Sequence, residues 1–275
     1  MHPSDPSYPS DPSRPSRASR PSGQIDPTGQ LTFFVYYDGA HSGVTNMARD
    51  EALLHCVANR DLPAAMRFYE WSEPTISLGY FQAYAEYEGL HPPAGTLPVV
   101  RRTTGGGAIL HDHELTYSIV VPADLPPFSK QPDRLYELAH AALIECLHEC
   151  GLAANLCGHT DDSRAGRGPF FCFERRHRLD VLIDQHKLAG SAQRRTRQAI
   201  LQHGSIITER RFEQHPTVSP PPNAIQAATL QRAFAQAFAG RVNGQIKETP
   251  WTEAMLTLAA GYEKKYSDPG WTRRK

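Results

Sequence analysis

The stretch RRTTGGGAILHDHELTYSIVVP, residues 101–122, contains the two patterns that decide how this chain folds. Its second half, LTYSIVVP, is rich in β-branched and aromatic residues and is typical of a strand. Its first half places three consecutive glycines, Gly105, Gly106 and Gly107, between two strand-like runs. A glycine run costs backbone entropy in a strand. It therefore indicates either a bulge or tight turn, or a place where a ligand comes close to the backbone.

The spacing of this glycine run matches neither the Walker phosphate loop nor the dinucleotide-binding fingerprint. Arg101 and Arg102 precede the run directly. Guanidinium groups beside a glycine-rich concavity suit a phosphate or a carbonyl oxygen. The arginines therefore favour a ligand-binding role for the glycines, with a purely structural turn as the alternative.

Further strands are predicted by short β-branched and aromatic runs that Pro, Gly and Ser turn signals separate. These runs are MRFYEW (66–71), TISLGYF (75–81), LPVVRR (97–102), AILH (108–111), FFCFE (170–174), LDVLIDQHKLAGSA (179–192) and QAILQHGSIIT (198–208). The run at 179–192 is expected to be a hairpin that turns at Asp184 and Gln185. The globular part of the chain begins at LTFFVYYDGA, residues 31–40.

Four helices are predicted around these strands. Residues 46–60 have helical apolar spacing, with Thr45 or Asn46 as the cap. Residues 132–151 form a strong helix that Gly151 ends, and its apolar stripe consists of Leu135, Leu138, Ala139, Ala142, Cys146 and Cys150. The other two helices span about 224–239 and 252–264. Strands interleaved unevenly with helices predict an α+β fold, with a mixed or antiparallel sheet flanked by helices.

Composition limits the classes of protein that fit. Lys plus Arg balances Asp plus Glu at 29 each in 275 residues, so no overall field favours nucleic acid or an anionic membrane surface as a partner. No apolar run approaches the length of a membrane span, and no secretory signal pattern opens the chain. Residues 1–29 repeat Ser, Asp and Pro and are expected to be a disordered tail, which leaves residues 30–275 as one domain. The five cysteines form no disulfide framework, which favours a reducing, cytoplasmic setting.

Most of the cysteines are best interpreted as small core residues. Cys56, Cys146 and Cys150 lie on predicted helices, where a free thiol is commonly buried. Cys157 and His159 follow at short range, and HDHE at residues 111–114 supplies two more imidazoles. Neither group has further ligands at metal-binding spacing, so no metal site is predicted.

Cys172 differs because a dense run of cationic residues follows it. These residues are Arg175, Arg176, Arg178, Lys187, Arg194, Arg195 and Arg197. Cationic neighbours favour a thiolate, the nucleophilic form of cysteine, so Cys172 is either a nucleophile or an ordinary surface or core thiol. Lys187 is either a solvated hairpin lysine or an amine in a tight, partly desolvated pocket, where the pKa of a lysine falls.

Several segments in register resemble the lipoate-protein ligase and octanoyltransferase family, whose catalytic fold biotin protein ligases share. They are NMARDEALL, RFYEWSEPTISLGYFQ, RRTTGGGAILHDHELTYSIVVP, CFERR, HKLAGSAQRRTRQAILQHGSI and EKKYSDPGW, from about residue 46 to 271. The order in which Cys172 precedes Lys187 resembles the cysteine-dependent, monomeric octanoyltransferase type. The resemblance therefore implies a biotin/lipoyl protein ligase-like catalytic domain that acts as a monomer.

The resemblance also implies a reaction and a set of site residues. Octanoyl would pass from octanoyl-acyl carrier protein to Cys172, and then to a lysine of lipoyl domains in 2-oxoacid dehydrogenase complexes or of the glycine cleavage H protein. Lys187 would assist, and the substrate would be held by Gly79, Arg102, Gly105, Gly106, Gly107, Ala108, His111, Gly190, Ser191 and Ala192. Candidate walls of an apolar acyl pocket are Leu78, Gly79, Tyr80 and the strand GGAIL, residues 106–110. The arginines from 175 to 197 could form a patch for the acidic carrier protein.

Three alternatives remain open at this point. An ATP-dependent lipoate ligase of the same family would need ATP and Mg²⁺ and could dispense with Cys172, whereas the transferase needs no cofactor. An amidotransferase would move the acyl group between two lipoyl domains with similar residues. A non-catalytic protein that binds acyl groups or lipoyl domains would keep the fold without the reaction.

Overall fold

The computed structural model describes residues 29–159, 169–209 and 224–274. The disordered tail predicted for residues 1–29 therefore lies outside the described residues, apart from residue 29 itself. Within the described ranges, no helix is both long and apolar enough to cross a membrane.

Eleven strands lie within these ranges. They are β1 (Leu31–His41), β2 (Ala64–Trp71), β3 (Thr75–Leu78), β4 (Val99–Arg101), β5 (Ile109–His111), β6 (Glu114–Pro122), β7 (Asn155–Leu156), β8 (Val181–Ile183), β9 (His186–Arg195), β10 (Ala199–Ile207) and β11 (Gly244–Glu248). The helices of the same ranges are α1 (Gly43–Ala58), α2 (Tyr84–Glu88), α3 (Arg134–Glu149), α4 (Ala227–Arg241), α5 (Glu253–Ser267) and α6 (Pro269–Thr272). Short 3₁₀ turns span Ala94–Thr96 and Cys172–Glu174.

The strands form two sheets. The larger sheet has the order β11-β1-β2-β6-β10-β9-β8-β7, and the smaller has the order β4-β3-β5. β1 pairs in parallel with β2 and β11, whereas the neighbours from β2 through β6, β10, β9 and β8 to β7 are antiparallel. The predicted α+β class with a mixed sheet flanked by helices is confirmed.

Strand side chains alternate between the two faces of the large sheet. Apolar side chains therefore lie on both faces, and helices cover each of them. Along β10, Ile200 and Ile206 join the main apolar core with α3 and α4, while Leu201 joins a second core with α1 and α5. β6 and β10 are buried along their whole length, although both also carry polar residues, among them Glu114 on β6 and His203 on β10.

Helix α1 begins earlier than its sequence pattern predicts. Its cap is Ser42, whose hydroxyl accepts a hydrogen bond from the Thr45 N–H, so the prediction of a cap at Thr45 or Asn46 is wrong. The Asn46 side chain instead donates to the carbonyls of His41 and Glu70 and ties the helix to β1 and β2.

Cys150 is a second correction, because it was expected on the buried stripe of α3. The helix ends at Glu149, and the backbone then turns through Gly151 at φ +77°. Cys150 is consequently exposed, while Cys56 and Cys146 are buried as predicted.

The hairpin between β8 and β9 turns at the predicted residues. Asp184 and Gln185 both adopt positive φ, at 47° and 64°, as a tight two-residue hairpin turn requires. This turn brings β9, which carries Lys187, back along β8.

The segment FFCFE is not the predicted strand. Phe171 makes one isolated bridge to Ala108, and the chain then enters the 3₁₀ turn at Cys172–Glu174. The Arg175 N–H closes this turn by donating to the Cys172 carbonyl over 3.0 Å. Apolar residues at a single bridge thus resembled a strand, although the backbone bends directly after it.

Candidate active site

The backbone of Cys172 is fixed against the end of the glycine run. Its N–H donates to the Ala108 carbonyl over 2.7 Å, and the Ala108 N–H donates to the Phe170 carbonyl over 3.0 Å. The flanking Phe171 and Phe173 rings are buried, whereas Cys172 is half-buried. The local sequence therefore anchors its aromatic residues in the fold and leaves the thiol at an accessible turn.

Lys187 reaches this thiol from β9. Its Nζ lies 3.7 Å from Cys172 Sγ and 3.3 Å from the Cys172 carbonyl oxygen. The residue is only 5% exposed, so the alternative of a solvated hairpin lysine is wrong. The structure brings together the two side chains that the sequence nominated for chemistry.

The charge of Lys187 does not follow the prediction. Burial alone lowers the pKa of the amine, as expected, but the Cys172 thiolate and the Asp180 carboxylate oppose this and hold the pKa above its usual value. The predicted fall in pKa is therefore wrong in direction. Lys187 is an ammonium at neutral pH, placed to offset negative charge on Cys172 Sγ.

Asp180 is a member of the site that the sequence analysis missed. Its Oδ2 lies 2.8 Å from Lys187 Nζ and also accepts the His177 N–H over 2.8 Å. Asp180 is 5% exposed, and a buried charge needs such a partner. A carboxylate at the start of the apolar run DVLI, just before a buried lysine in the same hairpin, was the available signal.

Gly190 makes room for the lysine. A Cβ built on Gly190 would lie 2.5 Å from Lys187 Cε and 2.8 Å from Nζ, closer than real atoms approach. Any larger residue would push the ammonium away from the sulfur.

The glycine run approaches two backbones at close range. A Cβ on Gly79 would lie 2.0 Å from the Gly106 carbonyl oxygen, and a Cβ on Gly107 would lie 3.0 Å from the Cys172 nitrogen. Gly106 also adopts φ +88°, which residues with a side chain rarely adopt. Gly79, Gly106 and Gly107 thus form one close-packed layer beside Cys172.

Arg102 lies beneath this layer and binds it from inside. Its Nη2 donates to the carbonyls of Gly105 and Gly107 over 2.8 and 2.6 Å, and its Nη1 donates to the carbonyl and hydroxyl of Ser77 over 2.7 and 3.0 Å. Its Nε donates to Thr104 Oγ1 over 3.2 Å. A guanidinium has five N–H donors, and these contacts occupy them all. Arg102 therefore holds the loop and has no donor left for a substrate oxygen.

The Arg102 cation is also part of the electrostatics around the thiol. Burial lowers its pKa to about 10, and the Cys172 thiolate opposes that fall, so Arg102 stays charged at neutral pH. No carboxylate among the described residues lies within 4.0 Å of it. Arg102 and Lys187 thus bring two cations to the surroundings of Cys172, and the Asp180 carboxylate pairs with Lys187.

His111 lies behind the loop, one step further from the thiol. Its Nε2 is 2.7 Å from Ser77 Oγ, and its Nδ1 is 2.7 Å from Glu114 Oε1. Burial lowers the pKa of His111 despite the Glu114 carboxylate, so the neutral ring donates to Glu114 and accepts from Ser77. His111 therefore orients the hydroxyl that Arg102 contacts.

A second histidine supports the other side of Arg102. His203 Nε2 lies 2.7 Å from Thr104 Oγ1, and its Nδ1 lies 3.1 Å from Asp50 Oδ2. His203, Asp50 and Thr104 were not predicted as site residues, because no local sequence pattern connects them. Both hydroxyls that bind Arg102 are thus fixed by a histidine and a carboxylate.

A cavity opens between β3, β5, β6 and β10. Its walls are Met47, Tyr69, Trp71, Ser77, Arg102, Ile109, His111, Thr116, Ala192, His203, Gly204 and Ser205. Ile109 also packs with Cys172 and Phe173 in a small apolar cluster, which links the thiol to the cavity. Of the residues predicted to bind substrate, Arg102, His111 and Ala192 line this cavity, and so does Ile109 of the predicted GGAIL wall. Leu78, Gly79 and Tyr80 do not line it, and Leu78 packs in a different apolar cluster.

Ser191 lies beside the cavity but is already hydrogen-bonded. Its Oγ lies 2.6 Å from Tyr117 Oη and 2.6 Å from His140 Nε2. A Cβ on the neighbouring Gly204 would lie 2.5 Å from Ser191 Oγ. These contacts hold β9 in place next to β10 and α3.

Comparison with known proteins identifies the domain that carries this arrangement. The profile of the lipoyl protein ligase A/B catalytic domain matches residues 42–236. This chain belongs to that family. The matched range of the lipoyl protein ligase A/B domain contains every site residue discussed above.

Two curated relatives align over most of this lipoyl protein ligase A/B domain. The octanoyltransferase LipM of Kyrpidia tusciae is 30% identical, over 89% of this chain and 99% of that protein. The octanoyltransferase LipM of Geobacillus kaustophilus is 34% identical, over 80% of this chain and 81% of that protein.

Solved structures agree with the fold. A lipoate-protein ligase A bound with ATP superimposes with a TM-score of 0.69 at 21% identity, over 88% of this chain and 99% of that one. A structure of a bipartite lipoate protein ligase and its E2 lipoyl domain from Thermoplasma acidophilum gives a TM-score of 0.68 at 20% identity, over 89% and 97% of the two chains. At this identity the likeness shows the fold of the domain.

The close-packed glycine layer leads to a stability prediction. Gly79→Ala is expected to lower the free energy of unfolding by at least about 2 kcal/mol, because the new methyl group overlaps the Gly106 carbonyl. Gly105→Ala is the matched control, since nothing lies within 4 Å of a Cβ at Gly105, and it should change stability by less than about 0.5 kcal/mol. Urea unfolding followed by circular dichroism measures both. Equal losses in the two variants would contradict the packing that we describe.

Proposed function

We propose that this protein is an octanoyltransferase that carries the acyl group on Cys172 as a thioester and delivers it to a lysine of a lipoyl domain. The observation that carries the proposal is the buried Lys187 ammonium, 3.7 Å from Cys172 Sγ and next to the glycine layer. The names of the LipM relatives support the octanoyl group. Octanoyl-acyl carrier protein is the proposed donor.

In the first step the Cys172 thiolate attacks the carbonyl carbon of the donor thioester. A new C–S bond forms at Cys172, the C–S bond to the carrier breaks, and the carrier thiol leaves with a proton from solvent. Lys187 offsets the charge on the thiolate before attack. Asp180 holds the ammonium in place over 2.8 Å.

The glycine run supplies candidate donors for the oxyanion of this step. Within the described ranges, the N–H groups of Gly105, Gly106 and Gly107 make no hydrogen bond to another residue. Arg102 fixes the Gly105 carbonyl, whose peptide plane carries the Gly106 N–H, so this N–H group is held before substrate arrives. Preorganised donors of this kind stabilise developing charge strongly.

The cavity must widen to admit an acyl chain, because its free space of about 10 Å³ is that of one water molecule, and the chain is proposed to enter past Ile109. This side chain contacts both the Cys172 cluster and the cavity space. Burying an acyl chain there would contribute about 0.8 kcal/mol per CH₂ group.

In the second step the ε-amine of the acceptor lysine attacks octanoyl-Cys172. An amide bond forms, the C–S bond to Cys172 breaks, and the amine loses a proton while the thiolate is regenerated. No phosphoryl donor takes part in either step, so ATP and Mg²⁺ are not required by this mechanism.

Intact mass measurement tests the proposal directly. Incubation with octanoyl-acyl carrier protein, without ATP or Mg²⁺, is expected to add one octanoyl group to the protein, and added lipoyl domain should then remove it. Free octanoate without ATP is the control donor and should give no adduct, because it has no leaving group.

Each alternative has its own outcome in this measurement. Acylation of the lipoyl domain only with free octanoate, ATP and Mg²⁺, and without an enzyme adduct, would replace the transferase with a ligase. An adduct from octanoylated lipoyl domain but not from octanoyl-acyl carrier protein would indicate the amidotransferase. No acylation with any donor would favour a binding protein.

A further inference from the structure

A cluster of arginines surrounds Tyr80, outside the glycine layer. The guanidinium carbon of Arg274 lies 3.7 Å from the centre of the Tyr80 ring, and that of Arg194 lies 5.4 Å from it. Arg273 lies 5.2 Å from the ring of Tyr84. These side chains come from β9, from the start of α2 and from the residues after α6, so the fold assembles the cluster from distant parts of the chain.

Two guanidinium nitrogens in this cluster are buried without a partner. Arg101 is 0% exposed, and its Nη2 makes no hydrogen bond, although its Nη1 and Nε donate to backbone carbonyls. The Nε of Arg274 is also buried and makes no hydrogen bond. Unsatisfied buried donors are costly. Because Arg101 has no exposed surface, it adds positive charge beneath the cluster and does not itself contact a partner.

The positive charge of the cluster is not balanced locally. Within the described ranges, none of the guanidinium groups of Arg101, Arg194, Arg273 and Arg274 has a carboxylate within 4.0 Å. Burial lowers the pKa of Arg101, and the neighbouring Arg274 lowers it further. Hydrogen bonding to Arg274 lowers the pKa of Tyr80, as expected beside unpaired cations.

An exposed aromatic side chain adjoins the arginines. Phe81 is 72% exposed and contacts the Tyr80 ring edge-on at 4.9 Å between ring centres. A large exposed apolar residue between arginines is the composition of a protein–protein contact centre.

The cluster is connected to the active site through the backbone of Gly79. Arg101 Nη1 donates to the Gly79 carbonyl over 2.8 Å, and the Tyr80 N–H donates to the Thr104 carbonyl over 2.8 Å. Gly79 in turn packs on Gly106. A partner on this surface would therefore lie beside the glycine layer next to the thiol.

The arginines after Cys172 are less suited to the same task. Arg178 pairs with Asp133 over 2.5 Å, and Arg175 and Arg176 donate to the carbonyls of Pro169 and Gln185. Among the described arginines from 175 to 197, Arg194 is the one that contacts the Tyr80 ring.

We propose that one surface docks the acidic protein that brings the octanoyl thioester to Cys172. This surface, called the Tyr80 surface, consists of Tyr80, Phe81, Arg194, Arg273 and Arg274. The inference rests on the proposed function, since it says where the acyl donor of that reaction binds. Charge complementarity carries it: a net-neutral chain keeps an uncompensated cationic surface next to its nucleophile, and an acidic carrier supplies the missing anions.

The test compares two donors with the full-length protein. One donor is octanoyl-acyl carrier protein, and the other is octanoyl-N-acetylcysteamine, a small uncharged thioester without a protein surface. The variants are Arg194→Glu/Arg274→Glu and Phe81→Ala, with Arg232→Ala as control because Arg232 lies on α4 and pairs with Glu248. The rate of octanoyl-Cys172 formation is followed by intact mass, and circular dichroism checks folding.

The charge-reversal variant is expected to lose roughly tenfold or more in kcat/KM with the carrier protein, and to keep the wild-type rate with the small thioester. Phe81→Ala should raise KM for the carrier alone, and Arg232→Ala should change neither rate. The docking assignment is wrong if the double variant reacts with the carrier at the wild-type rate. It is also wrong if the rates with the carrier and with the small thioester fall by the same factor. A loss confined to transfer onto the lipoyl domain would also overturn it, because the surface would then receive the acceptor. Failure of the wild-type protein with both donors would refute the proposed transferase itself.

Discussion

Cys172→Ser is expected to slow octanoyl transfer by at least about 10³-fold and to abolish the enzyme adduct, because a hydroxyl is a far weaker nucleophile than a thiolate. The fold should survive, since Cys172 is half-buried and its backbone contacts to Ala108 and Arg175 do not use the sulfur. The change in unfolding free energy should stay below about 1 kcal/mol. Steady-state transfer to a lipoyl domain and intact mass measure the chemical effect.

The control for this substitution is Cys150→Ser. Cys150 is an exposed thiol at the end of α3, and its replacement should leave both the adduct and the transfer rate unchanged. Transfer that persists in Cys172→Ser would contradict the thioester intermediate. If Cys150→Ser loses the adduct, Cys150 and not Cys172 carries the acyl group.

The sequence predicted the architecture well where the apolar pattern follows one element. β6 and β10 contain the apolar runs IVV and AIL and were recognised as strands, and the positive φ values at Asp184 and Gln185 confirm the predicted turn. Helix ends were predicted less well, because Ser42 caps α1 through a local hydrogen bond that the apolar period does not contain. The start of α1 and the end of α3 each depend on single residues, not on the helical repeat of apolar residues.

The turn at Cys172 shows a different limit. Its apolar neighbours suggested a strand, but hydrogen bonds to Ala108, far away in the chain, determine where the backbone bends. The same holds for the charge of Lys187. Composition around Lys187 indicated burial, but the carboxylate of Asp180 reverses the direction of the pKa shift, and that contact exists only once β8 and β9 pair.

Arg102 illustrates how a residue nominated from the sequence can make other contacts than the predicted ones. An arginine beside three glycines suggested a donor for a ligand oxygen, whereas the structure uses all its donors on Ser77, Thr104, Gly105 and Gly107. Its partners lie on separate segments and are themselves oriented by two histidines. Only the folded arrangement reveals that Arg102 is internal to the loop.

Lys187→Met is expected to lower the rate of octanoyl-Cys172 formation by about 10²-fold or more, because it removes the cation 3.7 Å from the sulfur. It should also destabilise the protein by about 3–5 kcal/mol, since Asp180 is left as a buried carboxylate without its partner. The stability loss alone could mimic a loss of activity. A second substitution separates the two effects.

Asp180→Asn added to Lys187→Met removes the unpaired charge. The double variant is expected to regain a large part of the lost stability while its acylation stays as slow as in Lys187→Met. Urea unfolding reports the first quantity, and intact mass over time reports the second. Alkylation of Cys172 by iodoacetamide at neutral pH should be slow in both variants, because the ammonium is absent from both. If the double variant recovers acylation together with stability, Lys187 acts through packing, and its assignment beside the nucleophile is wrong.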